Sequence, residues 1–340
     1  MANARGGVSA RDVAEAAGVS RAAVSRTFTP GASVAPATRA KVLAAAEALG
    51  YHVNYLARGL TRAESGLVAL IVAELATPFR SQLVSALTAR LQEAGKVAMI
   101  INTDRSDASV ERALRQAIAY RTDAAVVLSG MPDQALADLC LRNGLRLVLI
   151  NRDEERVGSV RIRLDDRDAG RRAFEMLRQA GCARPALATS FAGTTSLADR
   201  EQGFLAAARD AGVPVLHETL GATSYETGLE LATRLLSRPD RPDGVFCPTD
   251  LMACGVIDAA RHRFGLRVPE DLSVIGFDDI PQAGWDAYRL TTFAQPVDGI
   301  AAASVDWLRT APPDPFAADL IRLSARLVWR GSVRTPRTGA

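Results

Sequence analysis

The spacing of apolar positions changes character once along the chain, near residue 66. Before it, VSARDVAEAAGVSRAAVSR places Val13, Ala14 and Ala17 on one face of a helix that should begin near Ala10, where Ser9 and Asp12 have capping-box spacing. Gly18 permits a sharp turn, Val19 can plug a small core, and Ser20 can cap a second helix over 21–28 that turns Val24 inward. A third helix is predicted over 36–49. Pro36 suits its first turn, Gly50 follows its end, and Val42, Leu43, Ala46 and Leu49 form its inward stripe. Helix, tight glycine-containing turn, helix is the helix-turn-helix pattern.

Beyond residue 66 short β-rich runs take over: LVALIVAEL, VAMIINT, AAVVLSG and LRLVLIN, then RPALATS, DGVFCPTD and DLSVIGFDD. Helical patterns such as 79–94 and 109–120 lie between them. This alternation predicts an α/β body of parallel sheets covered by helices on both faces, and two sheets rather than one very wide one.

Composition adds limits. At 340 residues the chain has room for two or three compact units. Hydrophobic residues make up 48% of it, yet no apolar run approaches the roughly 18 to 20 residues that span a bilayer. The start, MANARGGVSARD, lacks the apolar run of a secretory signal, so a cytoplasmic location without membrane partners is expected. Cys140, Cys182, Cys247 and Cys254 form no CxxC pair and should be reduced and mostly buried. His52, His217 and His262 are too far apart for a helical metal motif, so neither a metal nor a cofactor is expected.

The net charge of +3 is unevenly spread. Residues 1–62 hold eight Arg/Lys against Asp12, Glu15 and Glu47, which leaves this part at +5 and the remainder at −2. A basic small unit on a near-neutral large one suits attraction of nucleic-acid phosphates by the head alone. On the second helix Arg21, Ala22, Ser25 and Arg26 face away from Val24, and its N-terminal end, from Ser20 onward, would meet base edges. Arginine reads guanine in a bidentate manner, worth about 1 to 3 kcal/mol of discrimination. Arg26 has two other readings, a phosphate contact or a pair with an acidic side chain. Thr38 and Tyr51 either donate to phosphates or are satisfied within the head.

The runs DVAEAAGVSRAAVSR, TRAKVLAAAEALGY and NYLARGL resemble the head and hinge of the lactose-repressor/galactose-repressor (LacI/GalR) family, and the resemblance continues through nearly the whole chain. It implies a transcriptional regulator, a repressor, that binds a pseudo-palindromic double-stranded DNA operator as a homodimer, with a tetramer left open. In that family the hinge becomes helical on operator DNA and wedges a leucine into the minor groove. Leu60 matches that leucine, and Asn54 and Ala57 fit the hinge helix. Local physics agrees with a conditional helix: Asn54 can cap it, while Gly59 costs about 1 kcal/mol relative to alanine and so short a segment is marginal alone. An ordinary polar linker is the alternative. Two departures from the family stand in the head: Thr29 replaces the usual asparagine and Ala35 a frequent serine.

The organisation expected is a head over 1–51, a hinge over 52–65 and a two-lobed body over 66–340. The resemblance implies lobes similar to periplasmic sugar-binding proteins, the first about 66–163 and 293–320, the second about 164–291 and 321–335. A small polar effector, carbohydrate-like, would bind between them. Ligands of open α/β sheets sit beyond the carboxyl ends of strands. Phe79, Ser129, Asn151 and Arg152 stand at such ends in the first lobe, and Thr249 and Asp278 in the second, with Arg200 in DREQGF. By family position Arg200 and Asp278 grip ligand hydroxyls or carboxylates, a fork of donors beside an acceptor. Duller readings stand beside these: Arg200 paired with Asp199 or Glu201 on the surface, Asp250 capping the helix at LMACG, Asp279 bracing its turn, Phe79 filling the core. Trp285 is a weaker candidate. Arg152 beside Arg200 suggests an anionic effector.

Enzymes are the main rival class, but the chain shows no Walker loop, no GxGxxG after a strand and no GxSxG elbow. Cys247 and Cys254 lie in strand and helix patterns that favour burial over nucleophilic use. A constitutive DNA-binding protein with a ligand-insensitive body is the other alternative. The tail VWRGSVRTPRTGA carries no leucine heptad for a coiled coil.

Overall fold

The structure is a computed structural model and describes residues 7–29, 31–53, 64–104, 106–128, 133–152, 155–310 and 318–335. The chain divides into two compact units, Met1–Ser65 and Gly66–Ala340. Among the described residues no helix is long and apolar enough to cross a membrane.

The first unit holds α1 (Ala10–Ala17), α2 (Arg21–Thr27) and α3 (Pro36–Leu49). Ser9 caps α1 and Asp12 returns the bond to the Ser9 amide, so the capping box is complete. Gly18 takes φ 65° at the end of α1, a left-handed turn that glycine adopts without strain. Val13, Ala14, Val24, Val42, Ala45 and Ala46 form the core, with Val19, Phe28 and Tyr51 packed on it. One expectation fails here: Leu43 and Leu49 are exposed, at 46% and 37%, and Ala45 is buried in their place. The inward stripe follows 42, 45 and 46, and Leu43 stands about 100° around the helix from Val42. In a head this small, buried alanines bring the helices close enough to close the core.

In the second unit a first run of alternation builds β1 (Leu67–Ala73), α4 (Pro78–Glu93), β2 (Val97–Thr103), α5 (Asp107–Ala119), β3 (Ala124–Val127), α6 (Gln134–Arg142), β4 (Arg146–Ile150) and β5 (Ser159–Leu164). A second run gives α7 (Asp166–Gln179), β6 (Pro185–Thr189), α8 (Thr195–Asp210), β7 (Leu216–Thr219), α9 (Tyr225–Leu236), β8 (Gly244–Phe246), α10 (Asp250–Phe264), β9 (Ser273–Asp278) and β10 (Thr291–Ala294). Then α11 (Val297–Arg309), β11 (Asp319–Leu323) and β12 (Arg326–Val328) follow.

These strands form two six-stranded sheets, in the orders β11-β5-β4-β3-β1-β2 and β12-β10-β9-β8-β6-β7. Every pairing is parallel except β10 with β12. Central strands are apolar throughout because helices cover both faces; six of the seven residues of β1 are buried. One core runs on through both lobes, from Val68 and Leu70 to the rings of Phe204, Phe246, Phe277 and Phe293.

The chain passes between the sheets at three places: after Leu164, after Ala294 and after Leu323. Because Thr291–Ala294 pair with β9, the return to the first lobe starts at α11, a few residues later than the sequence suggested, and extends to Leu323. The crossings are tied together. The Asp165 amide donates to the Leu323 carbonyl (3.0 Å) and the Ser324 hydroxyl to the Asp165 carboxylate (2.9 Å).

Candidate functional site

Ser20 caps α2 by accepting from the Ala23 amide at 3.2 Å, which fixes where the helix begins. Val24 is fully buried, while Arg21, Ala22, Ser25 and Arg26 are exposed on the other faces. Arg26 pairs with no carboxylate among the described residues; its Nε makes a long bond to the Ala22 carbonyl (3.4 Å). Thr29 closes the helix by donating to the Ser25 carbonyl (2.8 Å), and Arg39 reaches from α3 to the Thr27 carbonyl (3.0 Å). A cation at that end also suits the helix dipole. Ala35 stands at the start of α3 without a side-chain cap. Thr38 is half-buried, and the Tyr51 ring packs against that of Phe28, tilted by 56° with the centroids 5.6 Å apart. Neither hydroxyl has a hydrogen bond among the described residues. Asn54, Ala57 and Leu60 lie outside the described residues, as does Ser129.

In the body, the carboxyl ends of strands from both sheets wall an open cleft whose empty volume is about 780 Å³. Phe79, Asn151, Arg152, Arg200, Thr249 and Asp278 all line it. Trp285 does not; it is 54% exposed elsewhere.

Arg200 is buried, not paired on the surface. Its Nε donates to Asp166 (2.7 Å), its Nη1 to the Pro248 carbonyl (2.9 Å), and its guanidinium carbon lies 3.4 Å from the centroid of the Phe277 ring. The surface alternatives are occupied otherwise: Asp199 pairs with Arg163 and Glu201 with His217. Gly170 and Gly203 explain how α8 carries Arg200 so deep. A Cβ on Gly203 would lie 2.0 Å from the Arg167 carbonyl oxygen, and one on Gly170 2.0 Å from that of Arg200, so α7 and α8 touch backbone to backbone.

Asp278 ends β9 with φ 123°, a conformation that L side chains rarely adopt. Its Oδ1 accepts from Gln295 Nε2 (2.6 Å) and lies 3.8 Å from Arg200 Nη1. Burial pushes its carboxyl above the usual range, against the pull of Arg200, Gln295 and Arg80. Asp250 corrects an expectation. It does not cap α10 but sits wholly buried, accepting from the Ile280 amide (2.9 Å) and the Thr292 hydroxyl (2.6 Å). Burial and then the Asp278 charge push it upward too. Asp279 braces its turn through Arg330 (2.6 Å).

Sequence reasoning missed Arg80, Asp166 and Gln295. Arg80 and Gln295 follow the strand-end rule, but Asp166 follows β5, whose charges hide it as a strand. Among the described residues, two of the buried oxygens without a partner, Thr249 Oγ1 and Gln295 Oε1, belong to residues that line the cleft. The four cysteines are buried and free, and burial raises every thiol, Cys254 to about 12. They are poor nucleophiles. No group of three or more His, Cys, Asp or Glu among the described residues could hold a metal.

Residues 9–54 match the bacterial regulatory proteins of the lacI family, and residues 174–333 match a periplasmic binding protein-like domain. The chain is 32% identical over 330 residues to the transcriptional regulator GalR of Escherichia coli (strain K12), covering 96% of each. Its fold is similar to that of a lac repressor dimer bound to operator and the anti-inducer ONPF, with a TM-score of 0.85, 26% identity, and 96% and 99% of the two chains covered. It is also similar to a transcriptional regulator CelR–cellobiose complex, with a TM-score of 0.66, 29% identity, and 96% and 99% covered. By sequence over nearly its whole length and by fold, the chain belongs to the lacI family of bacterial regulatory proteins, which are DNA-binding transcriptional regulators and not enzymes.

Proposed function

We propose that this regulator is a cytoplasmic repressor whose grip on a pseudo-palindromic operator is set by a small polar effector, a sugar, polyol or sugar acid, bound between its two lobes. The observation that carries the reading is the cleft itself: strand ends of both sheets meet there around buried Arg200, Asp278 and the unpartnered Thr249 Oγ1. Buried polar atoms without partners are costly unless a ligand or water satisfies them. Arg21, Ala22 and Arg26 reach base edges, Ser20, Ser25, Thr38 and Tyr51 hold the backbone, and Asn54, Ala57 and Leu60 order in the minor groove. Two copies supply two heads, and exposed Val97 and Ile100 on the edge strand β2 give a second copy an apolar surface. A ligand favouring one arrangement of the lobes shifts the heads by its differential affinity for the two states.

Selection of bound genomic fragments, with candidate effectors added and withheld, tests the whole. Effector addition should change operator affinity about tenfold or more, within the usual range of coupling. Operator binding that no cleft ligand moves would leave a constitutive protein. Leu60→Ala should weaken specific binding more than nonspecific binding in gel shifts, since a wedge contributes only on the bent site; equal losses contradict it. A monomer bound tightly to one half-site in sedimentation would end the dimer reading.

A further inference from the structure

Two helices that follow a passage between the sheets, α7 and α11, start from a bend in place of a capped turn. Asp133 shows the ordinary use of an aspartate before a helix: it precedes α6 with ψ 169° and accepts from the Leu136 amide at 2.7 Å. Asp165 holds the same place before α7, yet it has φ −79° and ψ 60° and its side chain makes no cap bond. Pro296, before α11, has nearly the same backbone, φ −77° and ψ 68°. There the Val297 amide donates to the Gln295 carbonyl (2.8 Å), the bond that closes an inverse γ-turn.

The Asp165 carboxylate turns to the third passage instead. Its Oδ2 accepts from the Ser324 hydroxyl at 2.9 Å, its Oδ1 lies 3.8 Å from Arg322 Nη1, and the Asp165 amide donates to the Leu323 carbonyl at 3.0 Å. Asp165 is half-buried and Ser324 exposed, so the bond between their side chains breaks at little cost. The cleft reaches both bends. Arg200 holds Asp166, next to the first, at 2.7 Å, and Asp278 accepts from Gln295, next to the second, at 2.6 Å. Backbone contact at Gly170 and Gly203 makes α7 and α8 one body, so a pull on Arg200 acts on the end of α7 that Asp165 joins to β5.

We propose that Asp165 is a two-position hinge residue: its carboxylate holds Ser324 in the lobe arrangement seen here and caps α7 in a second one, and effector and operator each select between the two. Rotation about one bond, toward the ψ that Asp133 has, brings the carboxylate over the first-turn amides of α7, which have no partner inside the helix. The same rotation swings α7, and the lobe that it belongs to, against β5 of the first lobe. Aspartate is among the strongest caps, so the bond lost at Ser324 is replaced by one of similar worth. The two arrangements then lie close enough in free energy for a ligand to shift their populations. The proposal rests on the reading of the cleft as an effector site that controls the heads.

Hydrogen exchange of the full-length chain reads the hinge at the Asp165 amide, with the amides of β1 as the reference for global unfolding and rates corrected for sequence. Ser324→Ala removes the partner of one position only, so exchange at residue 165 should quicken about fivefold, the worth of one hydrogen bond. Asp165→Ala removes both positions and should leave the rate within about twofold of the unchanged chain. Combined with Ser324→Ala, it should cancel the quickening. Asp165→Asn caps as well and still accepts from Ser324, and should also stay within about twofold. A genomic fragment selected for binding to the chain should move the rate by about fivefold or more, the lower end of usual coupling. Equal quickening in Ser324→Ala and Asp165→Ala would show a fixed tie and overturn the hinge residue, as would no change in Ser324→Ala. A fragment that moves the rate when Ser324→Ala does not would overturn it while keeping lobe control of the heads. The alanine pattern without any response to the bound fragment would keep the two positions of Asp165 and overturn that control.

Discussion

Arg21, Ala22, Ser25 and Arg26 stand exposed on α2, outside a core built from six small buried side chains, whereas Arg200 and Asp278 in the body are 3% and 9% exposed. Their surroundings differ accordingly. Arg26 makes one long bond to its own helix; Arg200 holds Asp166, a backbone carbonyl and an aromatic face at once. A surface arginine is already solvated and its removal leaves nothing behind, while a buried one is part of a charge balance. Recognition and stability should therefore be separable in the head and inseparable in the cleft.

The sharpest break of that comparison is Asp166→Ala. It strips Arg200 of its closest carboxylate inside a buried setting and should cost about 3 to 5 kcal/mol of body stability, with effector binding lost as well. Chemical denaturation of the full chain would show it; a loss below about 1 kcal/mol would mean that Arg200 is far better solvated than its burial implies. Next comes Gly203→Ala. Because the new methyl meets backbone and not a movable side chain, α7 and α8 must separate, at a cost of about 1 to 3 kcal/mol. Arg200 moves with α8, so weaker effector binding should accompany the loss.

A third change has the opposite sign. The Asp278 carboxyl is raised by burial, so near neutral pH the folded chain holds its proton more tightly than the unfolded chain does. Stability from this group is full below the unfolded value and drains away as pH rises through the raised folded value. Asp278→Asn removes the charge that is costly there, and the repulsion it exerts on Asp250. Melting curves should show a gain of about 1 kcal/mol near pH 8 and a smaller one near pH 5, together with weaker effector binding. An equal gain at both pH values would mean that the charge is not the cause.

How far the sequence could be read follows the same division. Head elements are local: Ser9 with Asp12, Gly18, Ser20 and Gly50 each act within a few residues, and the helices begin and end where those signals lie. Leu43 misled because hydrophobicity alone does not say which face a helix turns inward, whereas Leu49 shares the face of Val42 and is exposed as the last residue of α3. In the body, strand ends named five residues that line the cleft, Phe79, Asn151, Arg152, Thr249 and Asp278, since the carboxyl-end rule needs only strand boundaries, whereas Arg200, inside α8, came from the family resemblance. Asp166 stayed hidden because β5, SVRIRL, buries Arg161 beside Glu155 and so does not resemble a central apolar strand. Gln295 depends on a partner 17 positions earlier, at the end of a different strand, and no local pattern announces that pairing. The role of Asp250 was misjudged for the same reason, since its partners Ile280 and Thr292 are remote in sequence.

Arg26→Ala should give the smallest change in stability, and for that reason it tests the head most cleanly. Its guanidinium is exposed, pairs with no carboxylate among the described residues and makes only the 3.4 Å bond to Ala22, so unfolding should shift by less than about 0.5 kcal/mol. Operator affinity is another matter. If Arg26 reads a base edge, its removal should cost about 1 to 3 kcal/mol and relax preference at one position of each half-site, leaving the salt dependence nearly intact. If Arg26 instead held a phosphate, all sequences would weaken together and the slope of affinity against salt would flatten by about one unit. Binding of selected and scrambled DNA across a salt series separates the two. A stability loss as large as that of Asp166→Ala would erase the distinction between the head and the cleft.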